Sequence, residues 1–323
     1  MAQCVEPVIN GSESASSKPT EIANKVAAKQ EADVLLYNGI IARPYDQEFI
    51  ELVRKQKAHA NVILMLVTEG GDPDAAYRMA RALQRDYEKF ICYVSGYCKS
   101  AGTLLAIGAD ELIMCDHGEL GPLDIQLSKK DELFGMESGA VAFTAIHRLY
   151  GHAFLAFEHF FLTTLRASGF TITTRTAANI ATNLTTGLFG PVFQQIDPMH
   201  VGKAGREMSI ANRYGSLLDQ HSRNMQPGAL DALVSGYPSQ GFVIDREEAL
   251  DLFRTVRCPD ELERGLAYSL DELARRSISY RSDEPIMYFL SGREDESNPT
   301  REGESGSESN ELEPTNAPVR GLA

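Results

Sequence analysis

Residues 61–71, NVILMLVTEGG, carry six consecutive apolar side chains, Val62 to Val67, and then stop on Gly70 and Gly71. A strand with one wet face alternates apolar and polar residues; an unbroken run of this length reads as a strand covered on both faces, as in a parallel sheet. The next stretch, PDAAYRMARALQRDYEKF from Pro73, places proline near a helix start and keeps small or apolar residues on one face. Working outward, ADVLLYNGII (32–41) reads as a second buried strand closing on Asn38–Gly39, and YDQEFIELVRKQ has helical spacing. FICYVSGYC is the next strand, residues 101–109 the next helix, and ELIM a short strand after it. Strands alternating with helices at these intervals imply parallel βαβ units with right-handed crossovers, an α/β fold.

From about Ala140 the pattern changes. AVAFTAIHRLYGHAFLAFEHFFLTTLRAS, TRTAANIATNLTTGLFGPVFQQ and GREMSIANRYGSLLDQHSR all read as helices, so the second half is mostly helical. GYPSQGFVIDREEALDLF interrupts it with a loop, an extended piece and a helix capped by Asp245, with Glu247 and Glu248 in the favoured first turn. The expected organisation is a flexible polar arm over 1–28, a domain over 29–285 with its helical C-terminal part, and a disordered acidic tail over 290–323 rich in serine and glycine.

A formal net charge of -14 over 323 residues argues against nucleic acid or an anionic membrane as the main partner, because both select clustered Lys and Arg. Cys4, Cys92, Cys98, Cys115 and Cys258 show neither Cys-x-x-Cys nor Cys/His ligand spacing. They read as reduced thiols of a cytoplasmic protein, and no metal or cofactor is expected. The N-terminus lacks the charged and apolar regions of a secretory signal. The apolar run from Ala153 is too short for a bilayer and contains Glu158 and His159, so no membrane span is expected.

Three segments fall in an order that acyl-transfer chemistry can use. Gly70 and Gly71, between strand and helix, can turn bare backbone N–H groups toward a carbonyl oxygen. Ser100 stands at the next strand-to-helix corner as either a helix cap or a nucleophile, and Ala101 adds another N–H. GELGPLDIQ (118–126) is a turn followed by an extended piece that could carry an orienting Asp124 or line a peptide groove.

TEGGDPDAAYRMARALQ, GYCKSAGTLLAIGADELIM and DHGELGPLDIQLSKKDEL together resemble the serine dehydrogenase proteinase family, a branch of the ClpP/crotonase superfamily related to signal peptide peptidase A and NfeD-type membrane proteases. The resemblance covers roughly residues 30–255 and is strongest from 60 to 135. It implies a ClpP/crotonase-like spiral of ββα units, a peptide or protein substrate, and a homo-oligomer. It matches Ser100 to the nucleophile, Gly70, Gly71 and Ala101 to the oxyanion hole, and Asp124 to the aspartate of a Ser, Asp, His order. The family places a histidine in the segment matching YPSQGFVID, where this chain has Gln240.

The base therefore stays open. Lys129 and Lys130 lie downstream of the serine, as the lysine does in the Ser–Lys dyads of NfeD-type relatives, and a desolvated lysine can accept a proton. Lys130 is the lysine grouped with Ser100 and Asp124 as a candidate catalytic residue, and a solvated SKKDE loop is the plainer reading of the lysine pair. His147, His152 and His159 read as surface or core histidines of a helix, and His117 as the top of a turn. Lys99 should point away from its neighbour Ser100, and Cys98 reads as a small buried residue. A catalytically impaired oligomeric scaffold of the same family is the competing reading, motivated by Gln240. Acyl-CoA chemistry on the paired glycines is a weaker third, against which the Lys-Ser-Ala-Gly-Thr stretch argues.

Overall fold

The computed structural model describes residues 19–123, 126–128, 136–239, 241–280, 282 and 284–292. The first half consists of α1 (Pro19–Gln30), β1 (Ala32–Asn38), α2 (Tyr45–Gln56), β2 (Asn61–Val67), α3 (Pro73–Asp86), β3 (Lys89–Val94), β4 (Tyr97–Cys98), α4 (Ala101–Ile107), β5 (Glu111–Met114) and β6 (Glu119–Leu120). A hairpin of β7 (Gln126–Ser128) and β8 (Met136–Ser138) leads into three long helices, α5 (Gly139–Ala167), α6 (Thr174–Phe193) and α7 (Pro198–Ser222). The chain returns through α8 (Ala229–Asp231), α9 (Arg246–Leu252), β9 (Val256–Arg257), α10 (Glu261–Leu270), α11 (Glu272–Arg275) and β10 (Ile286–Phe289).

The central sheet has the order β10-β1-β2-β3-β5-β9, parallel throughout except for the antiparallel edge strand β10. This is the α/β architecture with a mostly helical C-terminal part that the sequence predicts, and it is consistent with a ClpP-like fold. The apolar run of β2 divides by the pleat. Val62, Leu64 and Leu66 pack with α3 and α4 through Met79, Leu83, Leu104 and Leu105, while Ile63 and Met65 pack with α1 and α10 through Val26, Leu266 and Leu270. Each such side chain contributes about 1.5–3 kcal/mol on burial, which is why both faces of this strand must be apolar.

Several elements follow the sequence reading closely, among them α2, β5 and the Asp245 cap, whose carboxylate accepts from the Glu248 N–H at 2.9 Å. The strand expected over FICYVSGYC divides at Ser95–Gly96 into β3 and β4. An added Cβ on Gly96 would lie 2.1 Å from the Arg275 carbonyl oxygen, so the chain bends there against α11.

Three expectations change. From Pro19 onward the segment expected as a flexible arm is helix α1, because Ala23, Val26 and Ala27 bury themselves against the sheet and α10. The boundary expected at 285 falls just before β10, which pairs with β1 and completes the sheet edge. Cys92, Cys98 and Cys115 are free thiols, but Cys258 is disulfide-bonded, against the expectation of reduced cysteines throughout. Among the described residues no helix is long and apolar enough to cross a membrane.

Candidate active site

Ser100 precedes α4 with φ 49° and ψ -110°, a backbone conformation that L residues rarely occupy, and its side chain makes no capping hydrogen bond to that helix. Such a residue costs of order 1–3 kcal/mol of strain and persists only where its surroundings hold it. Ser100 is partly exposed at a sharp corner while Cys98, Lys99 and Ala101 around it are buried. Cys98, with its pKa raised by desolvation, is the small buried thiol expected.

The corner is locked by the end of β2. Thr68 receives the Lys99 N–H on its carbonyl at 3.0 Å and gives its own N–H to the Tyr97 carbonyl at 2.8 Å. Its hydroxyl, fully buried, accepts the Gly70 N–H at 3.0 Å, a side-chain turn two residues long. Gly102 packs onto the same threonine, where an added Cβ would lie 2.4 Å from the Thr68 methyl. The sequence reading misses this brace, although a threonine two residues before a strand-terminal glycine is its signal.

Gly70 and Gly71 take φ values of +112° and +138°, a region open to glycine. A Cβ on Gly70 would stand 2.9 Å from the Ser100 Cβ and 3.4 Å from the Ala101 nitrogen, so the glycine turn and the serine corner are in contact. On the outer side the bridge between Gly71 and Ile41 takes up the Gly70 carbonyl, bonded by the Ile41 N–H at 2.9 Å, and the Asp72 N–H, bonded to the Ile41 carbonyl at 2.7 Å. Among the described residues the Gly71 and Ala101 N–H groups have no acceptor. The Gly70 N–H, by contrast, is already donated to Thr68, so Gly70 supplies shape and room rather than a free donor.

The other wall is residues 118–123. The β4–β6 pairing places Leu120 opposite Cys98, and Thr103 on α4 donates its hydroxyl to the Gly121 carbonyl at 2.7 Å. Leu120 bridges Ile244 in antiparallel fashion, which brings the 241–244 segment beside the site. Lys99 turns away from the serine as expected and acts as an internal brace. Its ammonium lies 3.1 Å from the Leu120 carbonyl, 3.4 Å from the Phe242 carbonyl and 3.3 Å from a Glu119 carboxylate oxygen.

The structure therefore brings Ser100, Ala101, Gly70 and Gly71 together. Asp124, Lys129, Lys130 and Gln240 lie outside the described residues. His147, His152 and His159 sit exposed on α5, and His117 is exposed in the turn before β6. Among the described residues no cluster of three His, Cys, Asp or Glu could hold a metal.

Residues 39–132, which span the glycine turn, the serine corner and the following loop, match the model of ClpP-like SDH-type serine proteinases. Over this segment the chain is similar to that family. Two uncharacterized proteins of Methanocaldococcus jannaschii are 34% and 30% identical to it over 83 residues, which is 26% of this chain and 29% and 28% of theirs. The match thus spans less than a third of those relatives. Among solved structures, two mutants of the 1510-N membrane-bound stomatin-specific protease are similar, the second in complex with a substrate peptide. The first has 18% identity and a TM-score of 0.30 over 46% of this chain and 67% of that one; the second has 22% and 0.29 over 39% and 58%.

Proposed function

We propose that the chain is a serine peptidase in which Ser100 forms an acyl-enzyme. The observation that carries this is the strained Ser100 corner, held in contact with a glycine turn and flanked by the Gly71 and Ala101 N–H groups. Ser100 Oγ attacks the scissile carbonyl carbon while a base takes its proton. The charge arriving on the carbonyl oxygen is received by the Gly71 and Ala101 N–H groups, already fixed in place, so little reorganisation is needed. The C–N bond then breaks, the base returns the proton to the leaving amine, and water releases the acyl group by the reverse path. Asp124 and Lys130 are the groups proposed for proton transfer, with Lys130 as base and Asp124 orienting it.

The substrate is proposed to lie extended along 70–72 or 118–123, adding a strand to exposed backbone. Exposed apolar side chains on α5 and α6, including Tyr150, Phe154, Leu184 and Leu188, support assembly into a homo-oligomer. A cytoplasmic location is supported by the free thiols Cys92, Cys98 and Cys115, while the Cys258 disulfide is a feature of oxidising compartments.

The test is covalent labelling of the purified protein by a fluorophosphonate probe. Wild type should label and Ser100→Ala should not, with Lys130→Ala and Asp124→Asn slowing labelling of the intact serine. A folded wild type that stays unlabelled would give preference to the scaffold reading motivated by Gln240.

A further inference from the structure

On the α10 side of the sheet, above the carboxyl ends of β3 and β5, lies a depression with about 470 Å³ of open space. Its walls include Arg246, Arg264, Arg275, His117, Asp116 and Cys115. Three arginines thus line one depression in a chain whose net charge is -14, and Asp116 is the one acidic residue among its walls. Arg246 spends itself on that carboxylate, Asp116, at 2.6 Å and on the Met114 carbonyl at 3.1 Å. Arg264 donates to the Pro259 carbonyl at 3.4 Å, and Arg275 lies over the Tyr268 ring at 5.6 Å. Among the described residues no carboxylate comes within 4 Å of either. The carboxyl edge of parallel strands is also where open α/β sheets take small ligands.

The walls are continuous with the serine corner. Ser95, which lines the depression, is five residues before Ser100, and the Glu119 N–H reaches the Gly96 carbonyl at 3.0 Å. Asp116 and His117 run directly into the 118–123 wall. Arg246 follows Ile244, the residue that bridges Leu120. Segments 95–100 and 115–123 therefore both start in the depression, and 241–244 runs into it at Arg246.

We propose that this depression binds a small multivalent oxyanion, phosphate- or carboxylate-bearing, and that its occupancy holds the 95–100 and 115–123 segments in place. Guanidinium pairs favour oxygens presented in a plane or on a tetrahedron, which both classes offer. The link to catalysis rests on the proposed role of Ser100; the binding and its effect on the two segments do not.

The experiment is isothermal titration of the full chain with pyrophosphate and, separately, with citrate, the two arms telling the phosphate from the carboxylate source. It is paired with amide hydrogen exchange followed in peptides covering 95–100 and 115–123. Saturable 1:1 binding of one probe is expected, weakened at least tenfold in the Arg264→Gln/Arg275→Gln double variant and largely restored in the Arg264→Lys/Arg275→Lys variant. Bound probe should slow exchange at least threefold in both peptides, in wild type and Ser100→Ala alike. Absence of binding by either probe, binding undiminished in the glutamine variant, or exchange unchanged in those peptides would each overturn the proposal. Because no arm reads peptidase activity, failure of the peptidase reading stays distinguishable from failure here.

Discussion

The serine corner and the helical arm are built on opposite terms. Around Ser100 the chain leaves nothing loose: all seven residues of β1, six of the seven in β2 and all seven of α4 are buried, and two glycines sit where a single methyl would collide. In α6 the buried positions are Ala177 and Ala181, while Leu184, Leu188 and Val192 recur every four residues in the open, and α5 exposes Tyr150 by 63% and Phe154 by 68%. Both regions are rich in apolar residues. The first spends them on holding a strained backbone still; the second presents them as a surface, one stripe on each of two packed helices.

This contrast is breakable. Its severest test is Gly71→Ala, which needs φ +138° from an L residue and would put a Cβ 2.0 Å from the Ile41 carbonyl oxygen. We expect a loss of about 3 kcal/mol in chemical denaturation and labelling by fluorophosphonate reduced beyond detection. A fully reactive, fully stable variant would mean that the corner is far more plastic than its packing implies.

Thr68→Val is the next step down. It keeps the shape of the buried side chain but leaves the Gly70 N–H without its acceptor, which costs about 1–3 kcal/mol. Labelling should slow by roughly tenfold, because the glycine turn loses its register against Ser100. Stability lost without any change in labelling would separate the brace from the chemistry.

The arm should answer in the reverse sense. Replacing Phe154 and Leu188 together by serine is expected to move unfolding free energy by no more than about 0.5 kcal/mol per site, as exposed positions do. Sedimentation velocity should nevertheless show the proposed homo-oligomer falling to smaller species. An unaltered sedimentation profile would remove self-association as the reason these residues are exposed.

The smallest effect lies in the pH dependence. Desolvation raises the pKa of Glu111, but hydrogen bonds from Lys89 and Arg257 outweigh it and leave the carboxyl below its ordinary value. A depressed folded-state pKa contributes stability above the unfolded value, near 4.3, that is lost as pH falls through the folded one. Denaturation midpoints should therefore drop on going below about pH 4, by less in Glu111→Gln than in wild type. An equal drop in both would place the acid sensitivity elsewhere.

Local chemistry makes a good part of this fold legible in the amino-acid sequence. The apolar run 62–67 reads as a two-sided strand, YDQEFIELVRKQ as an amphipathic helix, and Asp245 announces its own helix start, because each of these depends on neighbours a few residues away. Gly70, Gly71, Ser100 and Ala101 are legible as candidates for the same reason: strand, glycine turn and helix start follow one another along the chain. What the tertiary structure alone decided comes from contacts across the chain. Helix α1 is held by α10 more than two hundred residues away, β10 joins β1 by a pairing that no local pattern announces, and the three arginines of the depression come from three separate elements. The sequence by itself leaves Ser100 as cap or nucleophile. Only the tertiary structure shows the positive-φ corner that Thr68, Gly70 and Gly102 close around and the missing cap bond, since strain of that kind is a property of packing and leaves no trace in composition or periodicity; the nucleophile role remains the proposal that labelling tests.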